Sequence, residues 1–230
     1  FGSTGMGAQR WLDLGFITLQ PSEMVKITLI MVLAFYYDWL PDQHVSKPQW
    51  IIVPLALIFL PFFLVLQQPD LGTSLLIIMG GGVMMFLAGV HWGYFGLALS
   101  LSVGGVLTIL YSRGTDWQLL NEYQYRRIDT FLDPSSDPLG AGYHITQSKI
   151  ALGSGGWTGR GFGQGTQSRL NFLPEKHTDF IFTTLAEEFG FIGGISLLAV
   201  YALIVAFAII AAIRNKDRFS SLLIYGVTVT

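Results

Sequence analysis

The chain has 230 residues, of which 51% are apolar, 14% aromatic and 12% charged, about half the ~25% charge of an ordinary soluble domain. That composition excludes a disordered chain and argues against a soluble globular protein, and the net charge of −2 argues against a nucleic-acid partner. The absence of cysteine excludes disulfides, thiolate zinc sites and a cysteine nucleophile.

A bilayer core about 30 Å thick takes ~20 mostly apolar residues per helix. Residues 1–21 precede the first apolar run and are read as an extracytoplasmic segment. Four transmembrane helices with short loops are expected within 22–111. Their runs are 22–37, which carries Glu23 and Lys26; 50–66, uncharged but holding Pro54 and Pro61; 71–90; and 94–111. Prolines are tolerated in such spans because neighbouring helices re-satisfy the freed backbone groups. Residues 112–179 form one large loop. A long transmembrane helix is expected over 180–213, with 25 uncharged residues from 189 to 213. A loop at 214–220 and the start of a truncated helix at 221–230 complete the chain. The fold class is an all-α polytopic membrane protein: about five full transmembrane helices, the start of a sixth and one large extracytoplasmic loop. With no initiator Met, no signal peptide and an apolar run at its end, the chain reads as the middle of a longer polytopic protein.

Orientation follows from positive charge in short loops. Arg214, Lys216 and Arg218 crowd the last loop, which is therefore expected to be cytoplasmic. Counting back makes 38–49 and 89–93 cytoplasmic as well. The 67–70 junction, the 112–179 loop and the N-terminal segment are then extracytoplasmic. Of the 28 charged residues, 14 lie within 113–179. Arginines in that stretch do not contradict the assignment, because long loops translocate regardless of charge.

The large loop carries its own structure. The pattern predicts an amphipathic helix over 123–132, a Pro-Ser-Ser-Asp-Pro turn at 134–138 and a second short helix over 143–152. Seven glycines then fall within 153–165. No register of that run gives G-x-G-x-x-G or G-x-x-x-x-G-K-[ST], so it is not a nucleotide loop. It reads as backbone that needs positive φ and close packing, with a flexible flap over a site as the compatible functional reading. Next come Glu175, Lys176, His177, Thr178 and Asp179, directly before an apolar helix, with Glu187 and Glu188 further in.

Ionisable groups at membrane depth are costly and usually face a bundle interior or a wet cavity. Glu23 and Lys26 are three residues apart, share a helix face and read best as a structural ion pair. Asp70 could cap the third span, and Asp179 could cap the fifth, a role compatible with a catalytic one because a helix N-terminus also stabilises a carboxylate. His144 and His177 lack any H-E-x-x-H-type spacing and read as hydrogen-bonding residues rather than metal ligands. Gly190-x-x-x-Gly194 is a close-packing candidate. On this topology Arg10, Glu23, Lys26, Asp70 and Asp179 all lie toward the outer side.

These residues carry a resemblance. Gly7-Ala8-Gln9-Arg10-Trp11, then Gln20-Pro21-Ser22-Glu23 with Lys26, then Gln68-Pro69-Asp70-Leu71-Gly72-Thr73-Ser74 are three of its segments. The others run from Gly140-Ala141-Gly142-Tyr143-His144 through Gly156, and from Leu173 through Phe182 to Glu187-Glu188. In this order they resemble the SEDS family (shape, elongation, division and sporulation) of peptidoglycan glycosyltransferases, and their wording is similar to its RodA-like branch rather than its FtsW-type branch. The resemblance implies a fold of ten transmembrane helices in the bacterial inner membrane. The implied activity is polymerisation of lipid II onto a nascent glycan strand by β-1,4 bonds, with release of undecaprenyl pyrophosphate, for cell elongation and rod shape. The implied partner is a class B penicillin-binding protein supplying transpeptidation. The family's essential aspartate matches Asp179, and the substrate-binding candidates beside it are Gln9, Arg10, Gln147, Lys149, Arg160, Glu175, Lys176, His177 and Thr178. Glu23, Lys26, Asp70, Glu187 and Glu188 are the cavity residues.

The implied reaction suits a single carboxylate. The α-linked donor becomes a β-linked product, so the reaction inverts and needs one base but no carboxylate nucleophile. The leaving pyrophosphate needs positive charge, for which Arg10, Lys149, Arg160, Arg169 and Lys176 are available; a divalent cation (Mg or Mn) is the alternative source. A lipid-linked precursor flippase is the competing class, and a cell-wall scaffold or a division-specific FtsW-type polymerase are further alternatives. A flippase needs intramembrane charge reachable from both faces, whereas here the polar residues gather toward the outer half.

Overall fold

The helices form where the apolar runs lie. The computed structural model describes residues 3–5, 8–13, 18–68, 70–115, 117–120, 122–133, 141–166 and 180–230. Its helices are α1 (Pro21–Trp39), α2 (Pro48–Leu66), α3 (Leu71–Leu87), α4 (Trp92–Tyr111), α5 (Glu122–Leu132), α6 (Ala141–Ser154), α7 (Ile181–Arg214) and α8 (Arg218–Val229). Pro21 and Pro48 open α1 and α2, positions where the missing N–H costs nothing and φ is already helical. Aspartates cap two others: Asp70 accepts from Thr73 N at the start of α3, and Asp217 from Ser220 N at the start of α8. The helices expected over 123–132 and 143–152 are present as α5 and α6. The turn expected at 134–138 lies outside the described residues.

Three short strands precede the helices: β1 (Ser3–Gly5), β2 (Ala8–Asp13) and β3 (Thr18–Leu19). They form an antiparallel sheet in the order β1-β2-β3, with an irregularity in register between Ser3 and Thr4. Nothing in the sequence reading anticipated them, since a six-residue strand among glycines and polar residues carries little periodic signal.

Two compact units make up the chain, residues 1–100 with 204–230 and residues 101–203. The first is a helix bundle whose core comes from α1, α2, α3 and α8. Leu29, Ile30, Leu33, Ala34 and Tyr37 form one buried stripe on α1, met by Ile51 and Ile58 of α2, Ile77 and Met84 of α3, and Leu222 of α8. The 29/30, 33/34, 37 spacing is one face of a 3.6-residue helix. Glycines allow the close approaches: a Cβ on Gly81 would run into Ile58, and one on Gly226 into Ile30 and Met84. Without the driving force that water supplies, helix association in lipid relies on such small-residue contacts. Large apolar side chains on the outer faces, Phe35, Leu60 and Met79 among them, are exposed, as befits surfaces that meet hydrocarbon.

The second unit carries α5, α6, a glycine-rich turn and the first part of α7. Among the described residues, α2, α4 and α7 are long and apolar enough to cross a membrane, and α3 and α8 are shorter apolar helices. α3 ends at Leu87 rather than at 90, because Gly89 has φ +94° and turns the chain out of the helix. One expectation needs correction: the helix over 180–213 is not continuous. Gly190, at φ 69° and ψ −165°, breaks it into 181–189 and 191–214.

Candidate active site

The ends of the first unit are chemically different. At one end, α1 and α3 both begin. Gln20 Nε2 donates to Asp70 Oδ2 at 3.4 Å, and Thr73 donates to Asp70 twice, from N to Oδ1 at 3.2 Å and from Oγ1 to Oδ2 at 2.9 Å. One turn along α1, Lys26 Nζ lies 2.9 Å from Glu23 Oε2, with the lysine largely covered and the glutamate half exposed. The pairing anticipated for Glu23 and Lys26 and the cap anticipated for Asp70 are therefore both present. Asp70 and Glu23 are held by local geometry, as a helix cap and an i,i+3 pair, while Gln20 reaches Asp70 across 50 residues of sequence.

At the opposite end, three loops meet. Arg218 Nη1 makes an ion pair with Asp42 and donates to Leu40 O at 3.3 Å, while its Nη2 donates to Ala88 O at 3.5 Å. Leu40 and Ala88 follow the last turns of α1 and α3, whose carbonyls lack helical partners and carry partial negative charge. Ser46 joins the same group: His91 N donates to its Oγ at 3.0 Å, and Tyr94 OH to its carbonyl at 3.1 Å. Loops 38–49, 89–93 and 214–218 thus share one end of the bundle, the grouping that alternate counting of spans requires.

The second unit is built around the break at Gly190. Once the helix stops there, the carbonyls of Glu187 and Glu188 lose their helical donors, and the amides of Phe191 and Ile192 open a new helix without acceptors. The glycine-rich turn supplies all four partners. Arg160 N donates to Glu187 O at 3.1 Å and Gly161 N to Glu188 O at 3.0 Å; Phe191 N donates to Gly156 O at 2.8 Å and Ile192 N to Trp157 O at 3.1 Å. This requires backbone against backbone. A Cβ on Gly155, Gly159 or Gly190 would overlap main-chain atoms of the opposing segment, and Gly156, Gly159, Gly161 and Gly163 all hold positive φ. The turn also abuts a largely apolar cavity of about 380 Å³, lined by Gly156, Phe182, Ala186, Gly190, Phe191 and Leu198 among others.

Side chains reinforce this latch. Glu187 is completely buried, and its Oε1 accepts from Thr166 Oγ1 at 3.1 Å. Thr166 Oγ1 in turn accepts from Arg160 Nη1 at 3.0 Å, and Arg160 Nε donates to Ser154 O at 3.4 Å. Glu188 is partly buried, Gln147 is partly buried on α6, and Lys149 and Arg160 are exposed. Thr166 was not among the residues singled out from sequence. At the entry to this unit, Arg113 pairs with Asp129 through two hydrogen bonds of 2.9 and 2.7 Å and lies over the Tyr125 ring, 5.2 Å from its centroid. Tyr125 is buried and donates to Ile109 O at 2.7 Å. The guanidinium beside Asp129 holds its carboxyl below the ordinary carboxylate range.

Gln9 and Arg10 lie on β2, where Gln9 pairs with Thr4. Glu175, Lys176, His177, Thr178 and Asp179 lie outside the described residues, as does Arg169. Among the described residues, no three His, Asp or Glu side chains gather to hold a metal ion.

Comparison with known proteins agrees with this architecture. The family model for FtsW/RodA/SpoVE cell cycle proteins matches residues 1–230. The peptidoglycan glycosyltransferase MrdB of Escherichia coli K12 is 45% identical over 229 residues, 99% of this chain and 59% of its own length. The probable peptidoglycan glycosyltransferase FtsW of Idiomarina loihiensis is 36% identical over 225 residues, 96% of this chain and 53% of its own. Among solved structures, a chain from a peptidoglycan synthase complex that coordinates polymerization and crosslinking superposes with TM-score 0.75 at 29% identity, covering 99% of this chain and 60% of that one. The rod shape determining protein RodA of Thermus thermophilus shares the fold, with TM-score 0.60 at 23% identity over 99% of this chain and 55% of its own. The chain belongs to the FtsW/RodA/SpoVE family of membrane proteins, and it spans 53% to 60% of the length of these relatives.

Proposed function

We propose that this chain is the larger part of an inverting peptidoglycan glycosyltransferase that polymerises lipid II for cell elongation. The observation that carries the proposal is the 45% identity, over 99% of the chain, to a relative named as a peptidoglycan glycosyltransferase; the 36% identity to a division-type relative is lower. The second unit supports it chemically. It holds a largely apolar cavity and an exposed arginine, Arg160, a combination that suits an amphiphile with a hydrocarbon chain and an anionic head.

In the proposed reaction Asp179 is the general base. The acceptor sugar hydroxyl attacks the anomeric carbon of the donor, its proton passes to the Asp179 carboxylate, and the bond from that carbon to the pyrophosphate oxygen breaks with its electron pair. One base suffices because the configuration inverts in a single displacement. Arg10, Lys149, Arg160 and Lys176 are the protein cations available to stabilise the departing charge, with Gln9, Gln147, Glu175, His177 and Thr178 as further substrate contacts. The proposed location is the bacterial inner membrane with the site on the extracytoplasmic side, and the proposed partner is a class B penicillin-binding protein acting on the nascent strand.

The test is polymerisation of purified lipid II by the full-length protein with that partner, using Asp179→Asn. Removing the base while keeping the shape should lower the rate by about 10²–10⁴. Polymer yield near that of the unaltered protein would overturn the assignment. Running the assay with Mg, with Mn and with a chelator measures whether a divalent cation shares the work of the arginines and lysines.

A further inference from the structure

Glu187, Thr166 and Arg160 form a chain of hydrogen bonds with a fixed direction. The Thr166 hydroxyl has a single proton, and it is donated to Glu187 Oε1. That leaves a Thr166 lone pair facing Arg160 Nη1, which donates to it. Bonds of this kind strengthen one another when an ionised group ends the chain. The two outer residues are also tied through the backbone, by Arg160 N to Glu187 O at 3.1 Å. Arg160 is therefore an exposed residue with unusually little freedom. Its Nε is held by Ser154 O, one Nη1 proton by Thr166, and among the described residues nothing engages the other guanidinium protons. An arginine side chain ordinarily loses much rotamer entropy when it is ordered. Here the folded protein has already restricted it through Nε and Nη1.

We propose that Thr166 and Glu187 are positioning residues that aim Arg160 at the pyrophosphate of the lipid-linked donor. This rests on the glycosyltransferase reading above, and it assigns to that site a positioning hydroxyl that no sequence motif marks. A planar guanidinium suits phosphate oxygens because it can give two parallel hydrogen bonds at once. It acts through fixed geometry, so a misaimed Arg160 weakens the hold on the anionic head.

The test uses the full-length protein and its partner, with lipid II polymerisation followed as a function of substrate concentration. A second readout is binding of undecaprenyl pyrophosphate in detergent, which needs no turnover. Thr166→Val keeps the shape of an exposed side chain and removes the hydroxyl. It should raise KM and weaken pyrophosphate binding about tenfold, the worth of one charge-assisted hydrogen bond, while Thr166→Ser restores both. Arg160→Gln should weaken binding at least as much. The decisive variant is the double change: with Arg160→Gln already present, Thr166→Val should add nothing. Additive losses, or a fall in kcat with KM and binding unchanged, would overturn the proposal. Loss of binding matched by loss of thermal stability in Thr166→Val would do the same. If the unaltered protein fails to polymerise lipid II, the glycosyltransferase reading falls instead, and pyrophosphate binding by Thr166→Val still reports on the relay.

Discussion

Charged residues in this chain are few enough to be considered one at a time. Glu23 and Lys26 show what spacing alone determines. Three residues apart on a helix, they must share a face, and the structure joins them at 2.9 Å. If the pair acts as a unit, polymerisation losses for Glu23→Gln and Lys26→Met in the full-length protein should be non-additive in a double-mutant cycle. Additive losses would show that each acts alone. Arg113 and Asp129 show the opposite case. They are 16 residues apart across a loop, and only the packing of α5 against the end of α4 brings them together. The carboxyl of Asp129 is depressed by Arg113, so its stabilising contribution is full above the unfolded value of about 3.9 and is lost as pH falls through the lower folded value. The melting-temperature difference between the unaltered protein and Asp129→Asn should stay constant from pH 7 to about 5 and shrink below about 4. A difference that stays the same down to pH 3 would contradict the pairing.

At the scale of elements, the break in α7 is the main departure from expectation. Residues 181–213 read as one apolar run, and a glycine inside such a run usually marks close helix packing. What breaks it is the segment 156–161, about 30 residues earlier in sequence, which supplies partners for exactly those backbone groups the break exposes. The glycine-rich run had signalled positive φ and close packing, and both are present; its partner was not legible, because a run of glycines names no counterpart. Gly159 holds φ +82°, and a Cβ there would overlap Glu188 O. Gly159→Ala should therefore loosen the latch, increasing hydrogen exchange at the amides of Arg160, Gly161, Phe191 and Ile192 by about tenfold or more, as expected for at least 1.4 kcal/mol of local destabilisation. Unchanged exchange at all four amides would show that the latch does not depend on that glycine.

For the whole molecule, the number and order of spans fix which loops share a side. The structure places 38–49, 89–93 and 214–218 together at one end of the bundle through Arg218, Ser46 and His91. By the positive-inside rule, the three basic residues in the last loop predict that this end faces the cytoplasm. The absence of cysteine in this chain makes the orientation measurable. In spheroplasts, Gln43→Cys and Lys216→Cys should resist a membrane-impermeant maleimide until the membrane is opened, whereas Trp117→Cys, in the large loop, should react at once. The reverse pattern would invert the topology and move the proposed site to the other face.

Composition, helix periodicity and short-range spacing determined the membrane class, the run of helices, the Glu23–Lys26 pair, the Asp70 cap and the family motifs. Each is written in neighbouring residues, and a helix converts short sequence separations directly into contacts. The break at Gly190, the clamp of Arg113 on Asp129 and the relay from Glu187 through Thr166 to Arg160 were decided only by tertiary structure. In each, the partners come from segments whose separation in sequence carries no fixed distance in space. A hydrogen bond between them exists only once packing has brought both groups within about 3 Å.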